Sequence, residues 1–228
     1  MPSSSTTASA FYILFWPPTL KSVSLYEHND AFEYEDLYED DEVTRVKYRK
    51  PLAGNIAKLS RRLEELSVAN LCDACHIFEP FFSPAKDLLL PTWSYLRKLT
   101  LTAGVIVPGE EWDNVNELLL AAGNAARRMP VLALMELYQA GGHFAGVFRY
   151  EVSDDSTSLT WRSTWEFKLS HDVKNAWKEV SQQHTARELE IAPEELIENY
   201  RGWPKFLCGG GLATKVVHPV SARLLRNL

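Results

Sequence analysis

Cysteine is scarce in this chain: three occur in 228 residues, an odd number that builds no disulfide framework and suits a reducing compartment. Basic residues are outnumbered, 24 against 30 acidic, so the net charge of −6 offers no global cationic field for nucleic acid or anionic lipid. Membrane-length apolar runs are missing as well. The run Ala10 to Trp16 stops at Pro17-Pro18, far too short to span a bilayer, and no positively charged segment precedes it as in a secretory signal. The expectation is a soluble protein of the cytoplasm or nucleus that is not secreted and binds neither nucleic acid nor membrane.

The motifs of common catalytic machinery are absent too. No G-x-S-x-G elbow and no H-E-x-x-H pair occurs, and the histidines at 28, 76, 143, 171, 184 and 218 lack metal-ligand spacing. Gly209-Gly210-Gly211 precedes Lys215, but a phosphate loop needs its lysine beside the last glycine and a hydroxyl residue after it, so a turn is expected. The pairs Glu110-Glu111 and Asp154-Asp155 lie in polar, turn-rich stretches and read as solvated. Cys72-Asp73-Ala74-Cys75-His76 has the spacing of covalent haem attachment, which requires export; zinc would need a second cysteine pair, and Cys208 is distant. Buried or half-buried thiols, no cofactor and no enzymatic activity are expected.

One short word recurs in the chain. Leu96, Leu99 and Leu101 follow L-x-x-L-x-L, and Leu132, Met135 and Leu137 repeat it in the same register. Between the copies, Val115, Leu118, Leu119, Ala122, Ala125, Ala126 and Met129 fall at steps of three and four, one apolar face of a helix. Leu63, Leu66 and Val68 supply an earlier copy, and Leu20, Val23 and Leu25 the first. Strand, returning helix and strand of the same pattern predict an α/β fold: an irregular leucine-rich-repeat-like solenoid of βα units over 11–140. Such a solenoid needs its first edge covered, either by Ala10 to Pro18 folding over it or by a longer parent chain.

Around this core, residues 1–10 are small and polar and are expected to be disordered. The acidic stretch from Asp30 to Glu42 reads as a solvated loop, with a patch for a basic partner as the sharper reading. Asn55 is a candidate cap for a short helix with Ile56, Leu59 and Leu63 on one face. Residues 141–228 change pattern. After the Gly141-Gly142 turn, Phe148, Tyr150 and Val152 alternate with charged residues, and Leu159, Trp161, Trp165, Phe167 and Leu169 alternate with polar ones, which predicts an antiparallel hairpin. Ser170 or Asp172 caps a helix with Val173, Ala176, Trp177 and Val180 on its inner stripe. Arg187 to Ile191 reads as a short strand, and Pro193-Glu194-Glu195 as the start of a last helix with Leu196, Ile197 and Tyr200 inside.

The runs RRLEELSVANLCDACHIFEPFF, PTWSYLRKLTLTAGVIVP, MPVLALMELY and SLTWRSTWEFKLS, with HPVS at His218 to Ser221, resemble the C-terminal leucine-rich-repeat-like region of fungal F-box-like proteins. That region is known only as a domain of unknown function, and the resemblance spans roughly Phe15 to Ser221. It implies a substrate-receptor or scaffold role with an unidentified protein partner. Residues 1–19 are too short and too polar for an F-box, so recruitment of a Skp-type adaptor is doubtful.

In each repeat strand the residues between the leucines face the other way. Ser24, Tyr26, Glu65, Ser67, Lys98, Thr100, Glu136 and Tyr138 therefore form the candidate interaction face, with Leu134 an apolar exception. Four strands about 4.8 Å apart would make a patch about 14 Å across, suited to a protein or peptide. The Trp161/Trp165 hairpin or the C-terminal helices could instead cover it. The alternative function is an α/β enzyme or ligand-binding domain whose pocket is walled by that hairpin, with Arg162 and Glu166 near His143 or His171.

Overall fold

The computed structural model describes residues 16–27, 50–83, 90–198 and 200. The expectations for residues 1–10, the acidic stretch 30–42, the glycine run 209–211 and the C-terminal tail lie outside them.

The fold is mixed α/β around one eight-stranded sheet. Strands β1 (Ser22–Tyr26), β2 (Glu65–Ala69), β3 (Lys98–Thr102) and β4 (Leu134–Ala140) lie side by side and parallel. Strands β5 (Ala145–Val152) and β6 (Thr157–Ser163) continue the sheet antiparallel, and β7 (Leu189–Ile191) and β8 (Glu195–Leu196) both pair parallel with β6. The recurring words stack without slip. Val23, Leu66, Leu99, Met135, Tyr150 and Leu159 form one cross-strand row, and Leu25, Val68, Leu101, Leu137, Phe148 and Trp161 the next. Because side chains alternate along a strand, these two rows share one face. The sheet passes residue 140 unbroken: Gly141 N–H closes the β4–β5 turn on the Phe144 carbonyl at 2.8 Å.

Helices cover the apolar rows. They are α1 (50–59) with a 3-10 extension Ser60–Arg62, α2 (Ala74–Ile77), α3 (Trp112–Ala126) and α4 (His171–Thr185). The expected stripes of α3 and α4 are buried in the same core as the rows. Trp177 of α4 lies between Phe148 and Tyr150, at 5.1 and 4.9 Å between ring centroids, and its Nε1 donates to the Leu119 carbonyl of α3 at 3.1 Å. Gly123 permits that approach, because a Cβ there would come within 3.3 Å of the Trp177 Nε1. Ser170 caps α4, its side chain accepting from Val173 N–H at 3.2 Å. Asn70, in the left-handed region at φ 60, ties the sheet's end together: its N–H donates to Thr102 Oγ1 and its side-chain amide to the Glu27 carbonyl.

Three local expectations are corrected. Asn55 is no cap but lies within α1, because Ala53, Ile56 and Ser60 bury a face that begins before it. The second hairpin strand ends at Ser163 rather than running to Leu169. Ser163 Oγ accepts from Trp161 Nε1 at 2.9 Å and donates to the Trp165 carbonyl at 2.5 Å, which turns the chain so that Trp165 and Phe167 fold back on Trp161. The segment after Pro193 forms β8 instead of a helix. Glu195 pairs with Arg162 at 2.7 Å, Ile197 N–H bonds to the Ser163 carbonyl at 2.7 Å, and Glu194 accepts from Leu169 N–H and Lys174. Those pairings outweigh a helix-start signal that is only local.

Candidate functional site

The second face of the sheet is polar along most of its length. One row runs Ser24, Ser67, Thr100, Glu136, Arg149, Thr160; a flanking row runs Ser22, Glu65, Lys98, Leu134, Glu151, Ser158; on the other flank Tyr26 pairs with Ala69, and Thr102, Tyr138, Val147 and Arg162 form a row. All eight residues expected on an interaction face therefore share one side of the sheet. Their surroundings differ from strand to strand. Ser24 and Lys98 are exposed, Tyr26, Glu65 and Ser67 half-buried, and Thr100, Glu136 and Tyr138 buried, with Glu136 only 1% exposed. The face is thus open toward β1 and closed over β4.

Charge on this face is organised in pairs. At the open end Lys98 Nζ lies 2.6 Å from Glu65, which also accepts from Ser22 Oγ at 3.3 Å. At the closed end Arg149 pairs with Glu136 directly across the β4–β5 ladder and lies 3.5 Å from Glu151. Two charges removed from water cost several kcal/mol each before their attraction offsets it, roughly by the amount that good geometry supplies. Burial pushes the Tyr138 phenol well above its ordinary range, and the Glu136 carboxylate and Tyr26 push it further.

The central cation, Arg149, was absent from the expected set, as was Glu151. Their sequence signal is the alternation in FRYEV, which places both on the polar side once Phe148 and Tyr150 face the core. Among the described residues, the hairpin tryptophans and α4, expected as a possible screen, lie behind this face. Trp161 occupies the opposite face, α4 packs on that side, and Trp165 meets Gly146 there, where a Cβ would come within 2.4 Å of its ring. Two residues proposed for a hairpin-walled pocket, Trp161 and Arg162, face opposite sides of the sheet. Trp161 is fully buried with Phe167 at 4.2 Å, Arg162 points away from it and pairs with Glu195, and Glu166 is exposed.

The cysteine motif opens α2. Asp73 is its cap, with one carboxylate oxygen accepting from Cys75 N–H at 2.7 Å and the other from Gly104 N–H at 2.5 Å. Burial, and then the negative Asp73, hold the Cys75 thiol far above its usual range, the reverse of what a reactive thiolate needs. Cys72 is buried, and the two sulfurs form no disulfide. Among the described residues no three His, Cys, Asp or Glu side chains cluster as a metal site, and no helix is long and apolar enough to cross a membrane.

A family of unknown function, DUF6546, matches residues 15–215. The chain belongs to that family. The matched span includes every strand from β1 to β8, so both faces of the sheet fall within the DUF6546 region. No curated protein and no solved structure matches the chain.

Proposed function

We propose that this DUF6546 chain is a non-catalytic protein-interaction module that recognises a protein or peptide on the polar face of its sheet. The supporting observation is the division of the sheet itself: the helices pack on the apolar rows, while the opposite rows present hydroxyls and a Lys98–Glu65 pair at the β1 to β3 end. In this reading β1 to β4 are the strands of a leucine-rich-repeat-like solenoid, since the L-x-x-L-x-L words stack in register. The role resembles that of the substrate-receptor region of fungal F-box-like proteins, exercised inside the cell. Small hydroxyl side chains beside Tyr26 favour extended backbone with polar side chains over a metabolite.

The test uses the open end of the face, because Glu136 is too buried to change without harming the fold. The full chain, Ser24→Arg/Lys98→Glu and a wild-type reference are used as baits from the same host, with stability of each checked by urea unfolding. A defined protein retained by the wild type and lost with the double variant, at unchanged stability, supports the reading. Retention of the same proteins by both baits sinks it.

A further inference from the structure

A second concave feature is built from helices rather than strands. A groove of about 760 Å³ lies between one side of α1 and a facing wall made by His76 and Ile77 of α2, Glu79 and Pro80 of the 3-10 turn Glu79–Phe81, and Pro91. That volume falls in the range of small-ligand sites. Lys50, Gly54, Lys58 and Arg61 lie at steps of four, four and three, so α1 and its extension present them along one side. Lys50 is neutralised across the groove by Glu79 at 2.5 Å. Lys58 and Arg61 are exposed, and among the described residues neither makes an ion pair or a side-chain hydrogen bond. In a chain of net charge −6, this is a local reversal of sign.

Two further observations point the same way. His76 lines the facing wall and makes no side-chain hydrogen bond among the described residues; its Nδ1 is buried, which leaves Nε2 as the ring atom able to reach a ligand. Gly54 weakens α1 relative to alanine. No steric demand explains it, because a Cβ there would meet nothing within 4 Å and its φ is not positive. Gly54 lines the groove with open space beside it. Its other walls, Ile77, Pro80 and Pro91, are apolar.

We propose that this groove binds a phosphate monoester, the dianion held between Lys58 and Arg61 with His76 opposite and the ester's organic part against Ile77 and Pro80. A planar guanidinium and an ammonium three residues apart suit a doubly charged tetrahedral anion better than a single carboxylate. The site is separate from the polar sheet face and stands or falls without it.

The experiment is an amide-resolved NMR titration of the full chain with phenyl phosphate, adenosine monophosphate and phenylacetate. Expected are saturable shifts at 54–61 and 74–80 with the two phosphate esters and none with phenylacetate. Lys58→Glu/Arg61→Glu should weaken phosphate-ester binding about tenfold or more, two attractions having become repulsions. The control Lys168→Glu/Lys178→Glu, with the same charge change at exposed positions, should leave it within about twofold. Gly54→Leu fills the groove without a charge change and should also abolish binding while leaving the chain folded. Tighter phenyl phosphate assigns the site to a phosphorylated side chain, tighter adenosine monophosphate to a nucleotide; either supports the site. No saturable shift with either ester, equal binding of phenylacetate, or an equal loss in the control overturns it.

Discussion

The two faces of the sheet are made by the same strands and alternate residue by residue, yet they meet different physical demands. The apolar rows, such as Leu25, Val68, Leu101, Leu137, Phe148 and Trp161, need only register and volume, and helices α3 and α4 supply both. Apolar contact is non-directional, so many sequences satisfy it. The polar rows need particular partners. Glu136 is as buried as the residues around Trp177, and it is tolerable there because Arg149 stands directly opposite on β5. The comparison teaches that burial divides this sheet less sharply than chemistry does: both faces contain fully enclosed residues, but only one of them depends on individual pairings.

The apolar side should give the largest single loss. Trp177→Ala removes a fully buried indole wedged between Phe148 and Tyr150 and the hydrogen bond to Leu119, and it leaves a void that α4 and the sheet cannot both close. The expected cost is about 3–5 kcal/mol in urea unfolding. A cost under about 1 kcal/mol would mean that α4 is not held by this contact.

The polar side should follow, with a different signature. Glu136→Leu removes the carboxylate directly opposite Arg149, whose side chain is only 11% exposed, at a cost of about 3 kcal/mol. Arg149→Met removes the guanidinium facing the buried Glu136 carboxylate and should cost about as much. The double change should cost less than the two singles together, with a coupling of about 1–3 kcal/mol in the cycle. For the apolar pair Trp177 and Val23, which sit in separate parts of the core, the same cycle should be additive. Strict additivity at Glu136 and Arg149 would erase the distinction between the faces.

How much of this was legible follows from the same physics. The four words marked β1 to β4 and their inward residues because an apolar period is written locally. The stripes of α3 and α4 are legible for the same reason, and of the two candidate caps, Ser170 and Asp172, the structure selects Ser170. What sequence pattern missed depends on partners far along the chain. The alternation from Leu159 to Leu169 continues past Ser163, but the strand does not, because the Ser163 hydroxyl bridges Trp161 and Trp165 and turns the backbone. Pro193-Glu194-Glu195 has a helix-start composition, yet Arg162, 33 residues earlier, draws Glu195 into β8. On the candidate face, the eight residues share one side of the sheet, but period two says nothing of depth. Glu136 and Tyr138 read as exposed polar positions, and only pairing with β5 shows that they are enclosed.

The apolar side contains its own exceptions, and they sharpen the contrast. The Tyr150 hydroxyl is buried with no hydrogen-bond partner among the described residues, in the row that packs on Trp177. Tyr150→Phe removes a desolvated polar atom while keeping the ring contacts. It should be neutral or stabilising by up to about 1 kcal/mol, read as a shift in urea midpoint at constant slope. A loss above that range would reveal a partner for the hydroxyl and align this face with the other, where each polar group matters.

The smallest effect concerns His184 and appears only as pH changes. This side chain, in the last turn of α4, stands edge-on to Tyr150 at 6.3 Å; its Nε2 lies 3.1 Å from the Ala126 carbonyl at the end of α3, and its Nδ1 is buried without a partner. Burial lowers its pKa below the ordinary 6.5, and the Ala126 carbonyl, which favours the charged ring, opposes this without overcoming it. Between the lowered folded value and about 6.5, the unfolded chain therefore binds more protons than the folded one. Stability from this group is complete above about pH 6.5 and is lost as pH falls through that window. Glu194, whose pKa is lowered from 4.5 despite burial by its hydrogen bonds and by Lys174, adds its own loss only in more acidic solution. Urea midpoints measured from about pH 7.5 down to about pH 5.5 should decline for the wild type and stay level for His184→Gln, whose amide can still donate to the Ala126 carbonyl. An equal decline in both would place the acid sensitivity elsewhere and leave His184 as a neutral packing residue on the apolar side.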